Sequence, residues 1–392
     1  MFMNKLKNAV YLLRCLGFLG SLSFIIHLVP RYFGRFNEGA MTIKTIIRSH
    51  QKIDNTFRQS IIKNLPELPA SLTKQAYTLY SDFNLKPNLL WHRFFISLNH
   101  VKSPAYISED LFYTQIEPRL NQTDHSTAYS DKNGYDRLFT DIQQPRTILR
   151  FMNGSFFDRN YSIVSEESAL KMLLAEIHPV LFKPSIDSGQ GRNIFKLTVN
   201  SGTVTMDGGR TVTLKELKKT APTGFIIQEI LSQHHEISEV YPDSLNTIRI
   251  ITLRLNNEVF VLNAILKMGN GGHFLDKMAF GGLCCGINNN GQLFPYAYNS
   301  HFKKYERHPQ TKVVFEGKSI PGYQKLTATV TKAHSGIPYF NMISWDMAVS
   351  PDKEPVLIEL NLRAQGILYQ QAIFGPLFGE RTEVLIAQLS QT

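Results

Sequence analysis

Cysteine is scarce in this chain: three in 392 residues, at Cys15, Cys284 and Cys285. Two of them are adjacent and the third is far away, so no disulfide framework can be built. That pattern fits a reducing compartment. In GGLCCGI the cysteine pair reads as small residues on a buried strand. No basic run is interleaved with aromatics and no zinc-finger spacing occurs, which argues against a nucleic-acid partner. There is no internal repeat and no low-complexity tract. A G-x-S-x-G elbow is also missing, so the sequence offers no hydrolase-type serine nucleophile.

A long uninterrupted apolar run is lacking as well. Residues 9–29, AVYLLRCLGFLGSLSFIIHLV, follow Lys5 and Lys7 but are broken by Arg14 and His27. A spanning helix needs about 20 largely apolar residues, so the stretch is borderline. The following HLVPRYFGRF is a poor signal-peptide cleavage site. Two readings stay open. The helix packs on the protein or on a partner, or it lies in a membrane interface with the basic RYFGR against anionic headgroups.

What is present is ordinary globular chemistry with a positive excess. Hydrophobic residues make up 43% and charged residues 19%, which argues against global disorder. The net charge of +10 suits an anionic partner, such as a nucleotide phosphate, an acidic membrane surface or an acidic polymer. The length predicts two or three subdomains, since domains run roughly 100–200 residues.

The first part of the chain reads as helical and irregular. IKTIIRSHQKIDNTFRQSIIKNL carries apolar residues at helical spacing, and Pro66, Pro69, Pro87 and Pro104 then punctuate short segments. From about residue 147 strands dominate. SEESALKMLLAEI predicts a helix capped by Ser165. HPVLFKP predicts a strand that Pro184 ends, and IFKLTVNSGTVTM two strands about an NSG turn. TIRIITLRLNNEVFVLNAILKMG predicts a long hairpin turning at Asn256–Asn257. GGLCCGINNNGQLFPYA predicts another at Asn290–Gly291. A helix should close the stretch from HPQT to AHSG, and ISWDMAVS and PVLIELN form a last hairpin about PDKEP. The C-terminal part is therefore α+β with many antiparallel strands.

Three segments carry candidate chemistry. On the last hairpin, a turn near Pro351–Pro355 brings Asp346 and Glu359 near each other across the ladder. Asn361 shares a face with Glu359 by the two-residue period. Two carboxylates and an amide oxygen suit Mg²⁺ held together with substrate phosphates. Solvent-facing acids on a half-exposed hairpin would look the same. In LFKPSIDSGQGRNIFKL, Lys183 ends an apolar strand before a loop with Gly189 and Gly191. Glycine lets backbone N–H groups approach phosphates, although a surface hairpin fits too. In TGFIIQEILSQHHEI, a strand ends at Gln228–Glu229 before a polar turn with Glu236. Such a hinge can meet an adenine edge and ribose hydroxyls. His234 and His235 read as solvated turn residues.

In this order, these elements resemble the ATP-grasp superfamily, and most nearly its sugar-transfer-associated branch. YPDSLNTIRIITLRL, the GGL…INNNGQL hairpin, HPQT…IPGY and ELNLRAQG…Q also support the likeness, over roughly residues 120–385. The resemblance implies an α+β ATP-grasp fold of two subdomains clasping ATP, with a phosphate-loop subdomain over 121–230 and a metal-site subdomain over 231–392. The first 120 residues lie outside the likeness, and their own pattern reads as an apolar, membrane-associated or packed helix over 1–35 and a mostly helical region over 36–120. Lys183 would meet nucleotide phosphate, and Ser188, Gly189, Gln190 and Gly191 would cover it. Gln228, Glu229 and Ile230 would form the adenine hinge, mainly through backbone, and Glu236 would hold the ribose. Asp346, Glu359 and Asn361 would ligate Mg²⁺. Arg249 in NTIRI would aim a cation at the transferring phosphate or an acidic substrate; a structural strand ion pair is the other reading.

Two departures from the family stand out. The earlier phosphate lysine would fall in YSDKNGYDRLF, where Lys132 and Arg137 both qualify. A Pro-Gly pair tends to follow Glu-x-Asn, and this chain has LRAQG there. The implied activity is an ATP- and Mg-dependent carboxylate–amine ligase working through an acylphosphate on a sugar-linked precursor of cell-surface glycan. Its partners would be ATP and carboxylate- and amine-bearing substrates, in the cytoplasm or at the inner membrane face. A hydroxyl kinase and a silent membrane-associated interaction protein are the alternatives.

Overall fold

The second half of the chain is organised by its turns. Asn256 and Asn257 adopt φ of 52° and 63°, the left-handed pair that a two-residue hairpin turn requires. They join β8 (Thr247–Leu255) to β9 (Glu258–Met268). At the next hairpin Gly291 has φ 85°, and a Cβ there would lie 2.7 Å from Tyr323 Cβ, so both backbone angle and space demand glycine.

The computed structural model describes residues 65–391 apart from 66, 84–85, 187–191, 201 and 208, together with 45, 48 and 49. The 9–29 segment, most of the 43–65 stretch and the glycine loop with Ser188, Gly189, Gln190 and Gly191 lie outside the described residues.

Two seven-stranded antiparallel sheets carry the fold. The first comprises β1 (Thr147–Met152), β2 (Ser155–Phe157), β3 (Ile163–Val164), β4 (Val180–Pro184), β5 (Phe195–Asn200), β6 (Thr203–Met206) and β7 (Gly224–Glu229). Its order is β3-β2-β1-β7-β4-β5-β6. The second sheet adds to β8 and β9 the strands β10 (Leu283–Ile287), β11 (Leu293–Tyr298), β12 (Lys304–Tyr305), β13 (Met342–Val349) and β14 (Pro355–Asn361). There the order is β12-β11-β10-β9-β8-β13-β14.

The helices of the first sheet begin where the sequence marks them. Ser165 accepts from Ser168 N to cap Glu166–Leu174, and Thr213 with Glu216 forms a capping box before Leu214–Thr220. Ala169, Leu173, Leu214 and Leu217 from these helices join Phe182 and Phe225 from the strands in one core.

The second sheet is covered on both faces, which explains why β13 is buried along its whole length. One face, with Ile248, Ile250, Leu266, Ile343 and Trp345, packs against the helix Tyr323–Ser335. The other holds Ile251, Leu253 and Met342 against the helical stretch Glu109–Leu111, Phe112–Ile116 and Glu117–Leu120. The middle segment of that stretch is a π-turn. Arg249 and Asp346 lie on this second face by alternation, so a charged pair sits beside the apolar Ile251, Leu253 and Met342. None of the helices among the described residues is long and apolar enough to cross a membrane.

Candidate functional site

Register places the charges. Asp346 is opposite Glu359 on one side and opposite Arg249 on the other. The three side chains therefore share one face across β14, β13 and β8. Arg249 is bidentate: its Nε donates to Asp346 Oδ1 at 2.9 Å and its Nη2 to Oδ2 at 2.7 Å. Asn361 Nδ2 donates to Asp346 Oδ2 at 3.4 Å, and Asn361 Oδ1 carries no hydrogen bond among the described residues. Burial alone would raise the Asp346 carboxyl; the charges of Arg249 and Lys267 overcome it and hold the group well below the usual carboxylate range.

The lysines arrive from the first sheet and from the turn before it. Lys132 sits in a 3₁₀ turn, Lys132–Gly134, and its Nζ is 2.8 Å from Glu359 Oε1. Arg137, the rival candidate, instead lies over the Tyr161 ring at 3.5 Å from its centroid. Lys183, on β4, is 5% exposed and donates to Gln228 Oε1 at 3.2 Å. Burial lowers its pKa from 10.5 to about 8, the Lys132 charge pushes the same way, and Glu359 opposes both.

The turn that bears Lys132 is braced from below. Tyr161 Oη donates to Asn133 O at 2.7 Å and to Asp136. Arg150, 1% exposed, donates to Asn133 O at 3.2 Å and pairs with Asp136. Both side-chain polar atoms of the adjacent Asn133 are buried without a partner.

The hinge residues lie at the end of β7. The Gln228 side chain bridges Lys183 and Pro145 O. Glu229 is engaged by Arg146, which also forms a two-bond pair with Glu176. Ile230 is exposed. Glu236 is on the short helix His235–Val240, beside His234 and His235, with their ligand atoms all within 4.8 Å of one another. No hydrogen bond or ion pair among the described residues joins Glu236 to the lysine–carboxylate cluster. His234 is not the solvated turn residue the sequence suggested: it is 3% exposed, accepts from Glu236 N, and begins the helix. His235 is exposed.

Sequence reading missed Lys267, Asp276 and Glu117. Lys267 pairs in register with Thr247 and stands 3.7 Å from Asp346 and 3.5 Å from Asp276. Asp276 accepts from Thr247 N at 3.2 Å and from its hydroxyl. A signal existed: Thr247 and Arg249 on β8, like Asn263 and Lys267 on β9, are polar residues on one face of apolar strands. Glu117 is buried and accepts from Ala364 N and Gln365 N at 2.9 Å each, which pins the LRAQG loop. Burial raises its pKa to about 7 despite those bonds and the Arg363 charge.

These groups fit a nucleotide phosphate and a hard cation. Among the described residues, the buried Lys183 ammonium meets only a neutral amide oxygen, a poor partner for a charge taken out of water. Lys132, Lys183, Arg249 and Lys267 face Asp346, Glu359 and Asp276, an excess of one positive charge. The carboxylates and the Asn361 amide are the oxygen donors Mg²⁺ takes.

Two antiparallel sheets with helices on their faces, and a site where Lys183 of the first sheet and Lys132 of the turn before it face carboxylates on the second, define the α+β ATP-grasp class. Residues 111–384 match the sugar-transfer associated ATP-grasp family, and the chain belongs to that family. No curated protein is similar to the chain at a significant level. Solved structures are distantly similar. VanG D-Ala:D-Ser ligase from Enterococcus faecalis has 14% identity over 66% of this chain and 60% of its own, with a TM-score of 0.39. The ATP-grasp ligase PsnB, complexed with precursor peptide PsnA2 and AMPPNP, has 13% identity over 69% and 62%, with a TM-score of 0.37. Biotin carboxylase from Campylobacter jejuni has 14% identity over 67% and 46%, with a TM-score of 0.38. The chain thus spans 60% and 62% of the length of the first two.

Proposed function

We propose that the chain is an ATP- and Mg²⁺-dependent carboxylate–amine ligase acting on a sugar or polysaccharide precursor in cell-surface glycan synthesis. The observation that carries the reading is the convergence of Lys132, Lys183 and Arg249 on Asp346, Glu359 and Asn361. Family membership supports the sugar-linked substrate, and the net charge of +10 suits an anionic one.

Lys132 and Lys183 would take phosphate oxygens, with Ser188, Gly189, Gln190 and Gly191 folding over them to exclude water. The backbone of Gln228, Glu229 and Ile230 would meet adenine, and Glu236 the ribose. Asp346, Glu359 and Asn361 would hold Mg²⁺, which when bound neutralises charge on the transferring phosphoryl group. Arg249 would orient the substrate carboxylate and stabilise charge on it. A carboxylate oxygen takes the γ-phosphoryl group and ADP leaves. The amine nitrogen then attacks the acyl carbon, and phosphate and a proton leave as the amide forms. Positioning carries most of the rate. The apolar 9–29 segment would bring the enzyme to the inner membrane face, where lipid-linked precursors lie.

Mass spectrometry of the wild-type chain with ATP, Mg²⁺ and a panel of uronic acids and amino acids tests this. ADP and a product lighter than its two substrates by one water are expected. ADP with a phosphorylated sugar, formed without any amine, would replace the ligase with a kinase. No turnover with any pair would sink the reading for these substrates.

A further inference from the structure

We infer that the amine-bearing substrate binds on the face of the second sheet beside Arg249, where Asn263 and Tyr113 read it; the inference rests on the ligase reading above. Asn263 is 8% exposed, its Oδ1 is buried without a partner, and its side chain makes no hydrogen bond among the described residues. A buried amide left unpaired costs free energy that a ligand N–H can recover. Register fixes where it lies: Asn263 is opposite Ile251, and Arg249 is opposite Ile265. Arg249 and Asn263 are therefore diagonal neighbours on one face, roughly 7–8 Å apart. The β8–β9 ladder shifts register between Ile251 and Thr252, at the step that aims Asn263. Such irregularities recur beside active sites because they redirect a side chain.

Tyr113 approaches the face that carries Arg249 from the layer packed against it. It lies in the π-turn Phe112–Ile116, a local widening that is common at functional sites. Its ring packs on the cluster that contains Ile251 and Leu253. Its hydroxyl makes no hydrogen bond among the described residues. The carboxylates of Glu109 and Glu117 and the guanidinium of Arg249 all act on the phenol. The Arg249 guanidinium suits a carboxylate or phosphoryl group, while the amide oxygen of Asn263 and the phenol oxygen of Tyr113 are acceptors that suit an ammonium or a primary amine. Glu117 also ties this layer to the LRAQG loop, where the chain departs from the family pattern.

The test is calorimetry on the full chain with AMPPNP and Mg²⁺, titrated with L-alanine, L-serine, L-threonine, L-lysine and D-glucosamine. At least one amine should bind. Asn263→Leu should weaken it about tenfold or more and Tyr113→Phe about threefold or more, because a site built to hydrogen-bond a group loses it steeply. Asn263→Asp keeps an acceptor oxygen and should retain binding within about threefold of wild type. AMPPNP affinity should stay unchanged in all three. Wild type that binds AMPPNP but none of these amines overturns the subsite, as do variants that bind the amine as wild type does. Amine binding that is lost in the variants, in a chain that binds no AMPPNP, would fell the ATP reading and leave the subsite standing. A wild type that binds neither overturns both.

Discussion

Raising the pH should cost the protein its nucleotide before it costs the protein its fold, and Lys183 is the reason. Its ammonium is buried against a neutral amide, and burial, with Lys132 beside it, brings its pKa from 10.5 down to about 8. A phosphate ligand needs the charged form. At pH 9.5 only about 3% of such a lysine is protonated, so affinity for Mg·AMPPNP should fall about 30-fold, or about 2 kcal/mol. Stability moves the other way. The folded pKa is below the unfolded one, so between about pH 8 and 10.4 the unfolded chain binds more protons and the ligand-free protein gains stability from this group. Calorimetric titration of AMPPNP from pH 7 to 9.5 reads the first effect, with Lys183→Arg as the control that stays charged. A wild-type affinity flat to pH 9.5, or an arginine variant that falls in parallel, would refute the assignment.

Two further substitutions probe the frame around that lysine. Asp346→Asn leaves the Arg249 guanidinium without the carboxylate that takes its 2.9 and 2.7 Å bonds, and should cost about 3 kcal/mol in urea unfolding at pH 7. Because the Asp346 carboxyl is held below its ordinary range, its stabilisation is present above about pH 4 and lost as pH falls further; a deficit that persists unchanged in strong acid would contradict this. Tyr161→Phe keeps the ring against Arg137 and Arg150 but removes the hydroxyl contacts to Asn133 O and Asp136. It should cost about 1–2 kcal/mol and weaken AMPPNP through the loosened Lys132 turn; binding equal to wild type would show that the turn holds itself.

The hairpins were legible because their turns are written in asparagine and glycine, and the helix at 166–174 because Ser165 precedes a clean apolar period. Asp346 and Glu359 were readable as cross-strand neighbours because the proline-flanked PDKEP segment marks the turn between their strands. What local pattern cannot carry is register across non-adjacent segments. Lys132 meets Glu359 across 227 residues, and YSDKNGYDRLF gives no local reason to prefer Lys132 over Arg137. Lys267 reaches Asp346 only because β9 and β8 pair so that Lys267 faces Thr247. The β13–β14 ladder also shifts between Asp346 and Met347. Leu357 therefore joins Met347 in the core on one face while Glu359 remains with Asp346 on the other. A strict two-residue period would put Leu357 and Glu359 together. His234 failed for a related reason: its backbone N–H bonds Val349 O, far away in sequence, so its buried position depends on a strand that the local pattern does not reveal.

If the lysines and carboxylates form one electrostatic unit, changing one member must move another by a predictable sign. The Lys132 charge lowers the Lys183 pKa and the Glu359 charge raises it. Lys132→Met removes the repulsion, so Lys183 should titrate at higher pH than in wild type. Glu359→Gln removes the attraction, so it should titrate lower. Both substitutions break the same 2.8 Å ion pair, and general loosening of the fold would admit water and move both variants upward, toward the solvated lysine value. Opposite displacements therefore separate coupling from loosening. The ¹³Cε shift of Lys183 in labelled, ligand-free protein, assigned by its loss in Lys183→Arg, follows the titration directly. Displacement of both variants in one direction would mean that Lys183 senses its burial and not its charged neighbours, and the cluster could not then act as a single phosphate-binding unit.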